Sequence, residues 1–254
     1  MFNIVIIGTG NVSHHLCNAI LNSKTLNLVQ LFGKKKKLPK NFKQSISYCY
    51  NLKEIKKADF YIICVNDSAI LKVSDELSLD KSSIVVHSSG STNMDELSKH
   101  KNYGVLYPLQ TFSKRKKTNF RDIPIIVEGS SNSVLNKIKK LSTLLSKKVV
   151  VCSSEQRTLI HISAVFTNNF SNFMNIIAEK ILKSQNIDVD ILNPLIKETA
   201  DKLNYLSPSE AQTGPAIRND EITIQKHLNL LKETKYFEVY NRLTEEIIKS
   251  KNEL

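Results

Sequence analysis

The sequence is short of several things, and each shortage narrows what the chain can be. No apolar run in its 254 residues approaches the roughly 20 needed for a helix to span a bilayer, so no membrane partner is expected. Its cysteines, Cys17, Cys49, Cys64 and Cys152, are widely spaced and form no Cys-x-x-Cys pair. Isolated thiols without a disulfide framework suit a reducing compartment, and a cytoplasmic location is expected. The opening residues have neither a basic lead nor a long apolar stretch, so they read as a strand and not as a signal peptide. No cluster of His, Cys and Asp has the spacing of metal ligands, so no metal is expected.

Arginine is scarce as well. The formal charge of +12 invites a nucleic-acid partner. Yet of the 36 basic residues only Arg115, Arg121, Arg157, Arg218 and Arg242 are arginine. Readers of phosphates and base edges favour the guanidinium fork, and the pattern contains no nucleic-acid module. The Lys-, Asn- and Ile-rich composition reads as a bias of the source, so nucleic acid is not the expected partner.

What is present is enough apolar residue, 41%, to bury the core of one large or two modest domains. The chain is organised around its start. Phe2-Asn3-Ile4-Val5-Ile6-Ile7 is a β-branched apolar run that predicts a strand buried on both faces. It runs into Gly8-Thr9-Gly10-Asn11-Val12-Ser13 and then into a helix-like stretch, 14–22. Strand, glycine turn and helix in that order is the context in which Gly-x-Gly-x-x-Gly/Ala binds a dinucleotide. Gly8 is expected to make the tight turn, and Gly10 to let a pyrophosphate approach the helix N-terminus beside Asn11 and Val12. Ser13 departs from the usual third glycine or alanine but is small enough to keep helix and sheet close.

A second strand is expected at 26–32, followed by Gly33 and Lys34 to Lys37. A site for NAD places an acid near the end of this strand, to bond the adenosine ribose. Here there is none, and the lysines, Lys34 and Lys35 first, suit a 2′-phosphate. The cofactor expected is therefore NADP, ahead of NAD, the alternative being that the lysine run is only a solvated turn. The next strand, 59–65, brings Val65 and Asn66 to the carboxyl edge where ligands of open α/β sheets bind. Asp67 reads as the N-cap of the helix that follows. Strand 83–87 leads to Ser88 and Ser89, placed beside the nicotinamide end. Strand 104–112 enters a proline-marked turn and a basic, exposed loop at 113–120. Strands 123–128 and 148–151 flank a helix at 133–145. Strands alternating with helices predict a doubly wound parallel α/β domain over 1–152.

No further strand is expected, so 153–254 reads as an all-helical domain. Apolar residues at helical spacing predict one long helix over 154–184, apolar on more than one side and so buried between domains or subunits. In the helical stretch 189–203, Pro194 either kinks a helix or stands in the first turn of a later start. Ser207 to Glu210 reads as a capping box. His161 and Asn168, seven apart on the long helix, fall near one face. His161 is then a candidate general acid or base and Asn168 an orienting group, against the alternative that His161 is a core residue. Arg218 is the candidate clamp for a carboxylate, or else a brace paired with Asp220. Asp220 is expected to cap a helix through Thr223, and His227 to support the loop. A hydrolase using Ser88 or Ser89 lacks any nucleophile-elbow pattern.

Thr213-Gly214-Pro215-Ala216-Ile217-Arg218-Asn219-Asp220 with His227, the Gly8 turn, His87-Ser88-Ser89-Gly90, Tyr107-Pro108-Leu109-Gln110-Thr111-Phe112 and His161 through Asn169-Phe170 together resemble a known family. The chain is similar over nearly its whole length to the Rossmann-like proteins carrying the domain of unknown function 2520, relatives of deazaflavin-dependent NADP reductases and pyrroline-5-carboxylate reductases. The resemblance implies a helical second domain like that of 6-phosphogluconate dehydrogenase and a dimeric, NADP-linked oxidoreductase, the homodimer forming through that domain. Ser13 departs from the family pattern, as does Tyr107, which stands where many relatives carry His. The function expected is hydride transfer between the nicotinamide and a small anionic carbonyl or imine. The alternative is a non-catalytic dinucleotide-sensing or scaffold protein.

Overall fold

Ile4, Val5, Ile6 and Ile7 are fully buried because β1 (Phe2–Ile7) runs through the middle of an eight-stranded sheet. The structure is a computed structural model and describes residues 1–114, 116 and 118–252, with the backbone alone for Asn252. Arg115 and Lys117, in the loop expected to be basic and exposed, lie outside the described residues. Successive side chains of a strand point to opposite faces, so β1 feeds two core layers. Ile4 and Ile6 pack in the layer of Leu16, Cys17 and Ile20 from α1 (Asn11–Leu21) and of Val134, Ile138 and Leu141 from α3 (Asn132–Leu145). Val5 and Ile7 pack in the layer of Ile70 and Val73 from α2 (Ile70–Glu76).

The remaining strands are β2 (Leu26–Phe32), β3 (Tyr48–Cys49), β4 (Phe60–Ile63), β5 (Ile84–His87), β6 (Tyr103–Pro108), β7 (Ile125–Gly129) and β8 (Val149–Val151). Their order across the sheet is β3-β2-β1-β4-β5-β6-β7-β8. The chain leaves β1 toward β2 and later returns to pair β4 on its other side. That reversal opens a crevice at the carboxyl edge, the usual ligand site of open α/β sheets.

One expectation is corrected. The sheet is not wholly parallel, because β7 runs antiparallel to β6, with Leu106 opposite Val127. A parallel pair needs a crossover connection, usually a helix. Among the described residues of 109–124 the one helical element is a 3-10 turn at Phe120–Asp122, so the chain folds back directly. After β7, helix α3 supplies a crossover and β8 is again parallel to β7.

The chain divides into two compact units, Met1–Asn169 and Phe170–Leu254. The sheet ends at Val151, beside the division expected at 152/153, and the first unit continues through α4 (Ser154–Ala164). A capping box starts α4: Ser153 accepts from the Gln156 N–H, and the Gln156 side chain accepts from the Ser153 N–H. The single long helix expected over 154–184 is interrupted by a π-helical turn at Val165–Phe170, before α5 (Ser171–Lys183). Apolar spacing alone does not distinguish an α turn from a π turn, because only the backbone bonding differs.

In the second unit, α6 (Asn193–Lys202) starts late and carries Pro194 in its first turn, where a missing N–H costs nothing. The Ser207–Glu210 capping box starts the short α7 (Pro208–Ala211). Helices α8 (Glu221–Leu231) and α9 (Phe237–Asn252) follow. Among the described residues no helix is long and apolar enough to cross a membrane, and no group of His, Cys, Asp and Glu could hold a metal ion.

Candidate functional site

The glycine turn is dictated by contact. Gly8 has φ +119°, and a Cβ there would stand 2.1 Å from the Cys64 carbonyl oxygen, so only glycine fits between β1 and the end of β4. A Cβ on Gly10, by contrast, would meet nothing within 4 Å. The space over Gly10 is thus open to a ligand. Gly10 is also the N-cap of α1, with no side-chain cap and no acid in the first turn. The first N–H groups of the helix, at Asn11 and Val12, therefore keep their donors and the positive end of the dipole for an anion. Ser13 is fully buried and its hydroxyl donates to the Cys64 carbonyl at 3.4 Å. It is a packing residue under the turn. Burial pushes the Cys64 thiol up to about 11, which leaves it protonated and unsuited to nucleophilic work.

Along the carboxyl edge, Val65 is half-buried and Asn66 exposed after β4. Asp67 does not cap α2 as expected; it opens a 3-10 turn at Asp67–Ala69, and its carboxylate accepts from the Ser91 hydroxyl at 2.8 Å. That bond ties the loop after β4 to the loop after β5. In the latter, Ser88 donates from its N–H to Ile63 O at 3.1 Å, and the buried Ser89 hydroxyl accepts from the N–H groups of Ser91 and Thr92. Beneath them His87 is fully buried and accepts from the Ser89 N–H on Nδ1. Burial, and then the Arg157 charge, lower its pKa to about 4. Lys34 and Lys35 are exposed at the end of β2, past Gly33, where a Cβ would lie 2.6 Å from the Thr9 methyl.

His161 on α4 meets this edge. Its Nδ1 is 3.1 Å from the Tyr107 hydroxyl at the end of β6. Gly90 lies against both, since a Cβ there would stand 2.6 Å from His161 Nδ1 and 2.8 Å from Tyr107 Cζ. Burial, followed by the Asp67 charge, raises the Tyr107 phenol above its ordinary value, so it holds its proton throughout the neutral range. A cavity of about 750 Å³ joins Asn11 and Val12 to Tyr107, His161 and Asn168. His161 is half-buried at its wall and Asn168 exposed on the π turn, a feature that often marks functional sites.

A buried ion pair positions α4. Arg157, fully buried, pairs with Glu128 of β7 and donates to the Thr92 carbonyl. Glu128 also accepts from the Ser154 N–H and hydroxyl, at 2.9 and 2.8 Å. His161 stands one helical turn beyond Arg157 on the same helix. Tyr107, Gly90 and this pair were not singled out as functional from the sequence. The Ser153–Gln156 box and the rarity of arginine were the signals that could have led to Arg157.

In the second unit Arg218 is exposed, and among the described residues it makes no ion pair. Asp220 caps α8, accepting from the Thr223 N–H at 3.1 Å and hydroxyl at 2.7 Å. These bonds, more than the Arg218 charge, hold its carboxyl below the usual range. His227 does not brace the loop as expected; its Nδ1 is 2.7 Å from the Tyr240 hydroxyl and joins α8 to α9.

Sheet order, glycine turn and edge cavity together define a Rossmann-type protein. Residues 123–247 match the family described as Domain of unknown function (DUF2520). A protein of Bacteroides fragilis provisionally named an NADP oxidoreductase is 36% identical over 98% of both chains, with a TM-score of 0.90. Two more distant structures share the fold. One is the 1-pyrroline-5-carboxylate reductase of Streptococcus pyogenes, 13% identical over 100% of this chain and 99% of that one, TM-score 0.63. The other is a reductive aminase of Aspergillus terreus in complex with NADPH and ethyl levulinate, 13% identical over 98% and 94%, TM-score 0.67. No curated protein matches the chain. The chain belongs to the family of Rossmann-type oxidoreductases that carries the DUF2520 domain.

Proposed function

We propose that the chain is an NADP-dependent oxidoreductase acting on a small anionic carbonyl or imine. The observation that carries this reading is the cavity in which the open helix N-terminus at Asn11 and Val12 and the Tyr107–His161 pair share one wall. The bound coenzyme supplies the hydride chemistry. The chain's own groups hold it and manage a proton. Gly8, Gly10, Asn11, Val12 and Ser13 form the phosphate turn, Val65, Asn66, Ser88 and Ser89 line the edge, and Lys34 and Lys35 are the cations for a 2′-phosphate.

The Tyr107 phenol, kept protonated by burial, donates to His161 Nδ1. That fixes the imidazole's proton on Nε2, ready for exchange with a substrate atom as carbonyl or imine is interconverted with alcohol or amine. Asn168, donor and acceptor at once, orients the reacting group. Arg218 is the candidate for an acidic group of the substrate, because a planar guanidinium takes a carboxylate with two bonds. A second copy of the chain is the proposed cover for the exposed apolar side chains Phe173, Ile176, Ile181, Ile191, Leu195 and Ile196. Sedimentation at micromolar concentration should therefore find a homodimer.

Thermal unfolding with NADPH and NADH tests the reading. Ligand at about a hundred times its dissociation constant stabilises a fold by about 2.7 kcal/mol, so a clear upward shift is expected, larger at equal concentration with NADPH. No shift with either coenzyme would overturn it. Consumption of NADPH across a panel of 2-keto acids and cyclic imines then identifies the substrate class. A shift without turnover on any of them favours a dinucleotide sensor.

A further inference from the structure

The segment after β6 is fastened to the glycine turn as well as leading to β7. Asn11 Nδ2 donates to the Phe112 carbonyl at 2.8 Å. The buried His15 donates from Nε2 to the Ser113 carbonyl at 3.0 Å. Lys114 Nζ then donates to the Thr9 carbonyl at 3.3 Å. Three successive residues are thereby tied to α1 and to the turn between Gly8 and Gly10. Gly33, which precedes the lysine run, lies against the same residue, since a Cβ there would stand 2.6 Å from the Thr9 methyl. Lys114 and Gly33, the residue before the lysines after β2, thus both approach Thr9 from separate elements.

Positive charge gathers here. An ammonium has three donors, and the Thr9 carbonyl takes one of them. Among the described residues Lys114 has no carboxylate partner. A cavity of about 890 Å³ beside α1 is lined by His14, His15, Lys43, Lys114, Lys116 and Arg121, with no carboxylate among the described residues of its wall. The pKa of His14 is lowered by burial and then by His15 and Lys114, as befits a crowded cationic site. Such crowding is relieved by an anion, and the open space over Gly10 is where phosphates approach the turn.

We propose that Lys114 is a coenzyme-binding residue, a cation for the dinucleotide's phosphates supplied by the loop after β6 in addition to the lysines after β2. The proposal rests on the dinucleotide reading given above. The test is calorimetric titration of NADPH and NADH into the full chain, its Lys114→Gln variant, and a Lys139→Gln control that removes an exposed charge from α3. Loss of a charge-assisted hydrogen bond should raise the dissociation constant about tenfold in Lys114→Gln and leave the control unchanged. A loss confined to NADPH supports a contact with the 2′-phosphate, and an equal loss for NADH supports one with the pyrophosphate. Unchanged affinity for both coenzymes, or an equal loss in Lys139→Gln, overturns the proposal while the function stands. Failure of the unmodified chain to bind either coenzyme overturns both.

Discussion

Gly90 and His161 are in such close contact that no side chain fits between them: a Cβ on Gly90 would lie 2.6 Å from the imidazole Nδ1. The glycine is therefore part of how the imidazole is aimed. Gly90→Ala should displace His161 from Tyr107 and lower turnover about a hundredfold, the scale of a misplacement of about 1 Å. NADPH affinity should hold within a few-fold, because the atoms nearest that Cβ belong to His161 and Tyr107 and not to the phosphate turn. Steady-state kinetics beside coenzyme titration separates the two effects.

The Arg157–Glu128 pair predicts a stability effect. Arg157 is fully enclosed and Glu128 nearly so, and removing one partner of such a pair leaves a buried charge unanswered. Arg157→Met should cost about 3–5 kcal/mol, read from urea unfolding. If the variant is as stable as the parent, the pair does not anchor α4.

Acid should weaken the fold through His87. Its pKa is about 4 in the fold against 6.5 for the free side chain, so between those values the unfolded chain binds a proton that the fold does not. This contribution is complete above 6.5 and is lost as the pH falls toward 4, by about 3 kcal/mol. His87→Gln should flatten the stability curve over that window. Urea unfolding at neutral pH and near pH 4 measures the difference; an unchanged slope would remove His87 from the account.

Neutralising Lys34 and Lys35 together should weaken NADPH about tenfold or more and NADH much less, since only NADPH carries the 2′-phosphate. Equal losses for the two coenzymes would place these lysines away from that phosphate.

The parts of this fold that were legible in the sequence are those written into neighbouring residues. Phe2 to Ile7 and the Gly8–Ser13 turn carry period, length and punctuation within one short stretch, and Asp220 announced its cap through Thr223. Partnerships across the chain left no such trace. Tyr107 and His161 are brought together by the sheet edge, and nothing near either residue points to the other. Asp67 looked like a cap because it precedes a helix, but its carboxylate is drawn to Ser91 on another loop. The reversal of β7 had a faint signal, the lack of any helical pattern between 112 and 123, which in a parallel sheet would have had to be a crossover.

That reversal has a consequence for where the chemistry can be placed. With β7 and β8 running back toward the amino ends of the parallel strands, α4 sets out from the far edge, where Ser154 is bonded to Glu128. Seven residues of helix, about 10 Å of rise, then carry it up to Tyr107 and Gly90. A parallel β7 and β8 would have released the same helix at the coenzyme edge, heading away from it. One reversal of direction thus turns a departing helix into an arriving one, and His161 is what it delivers.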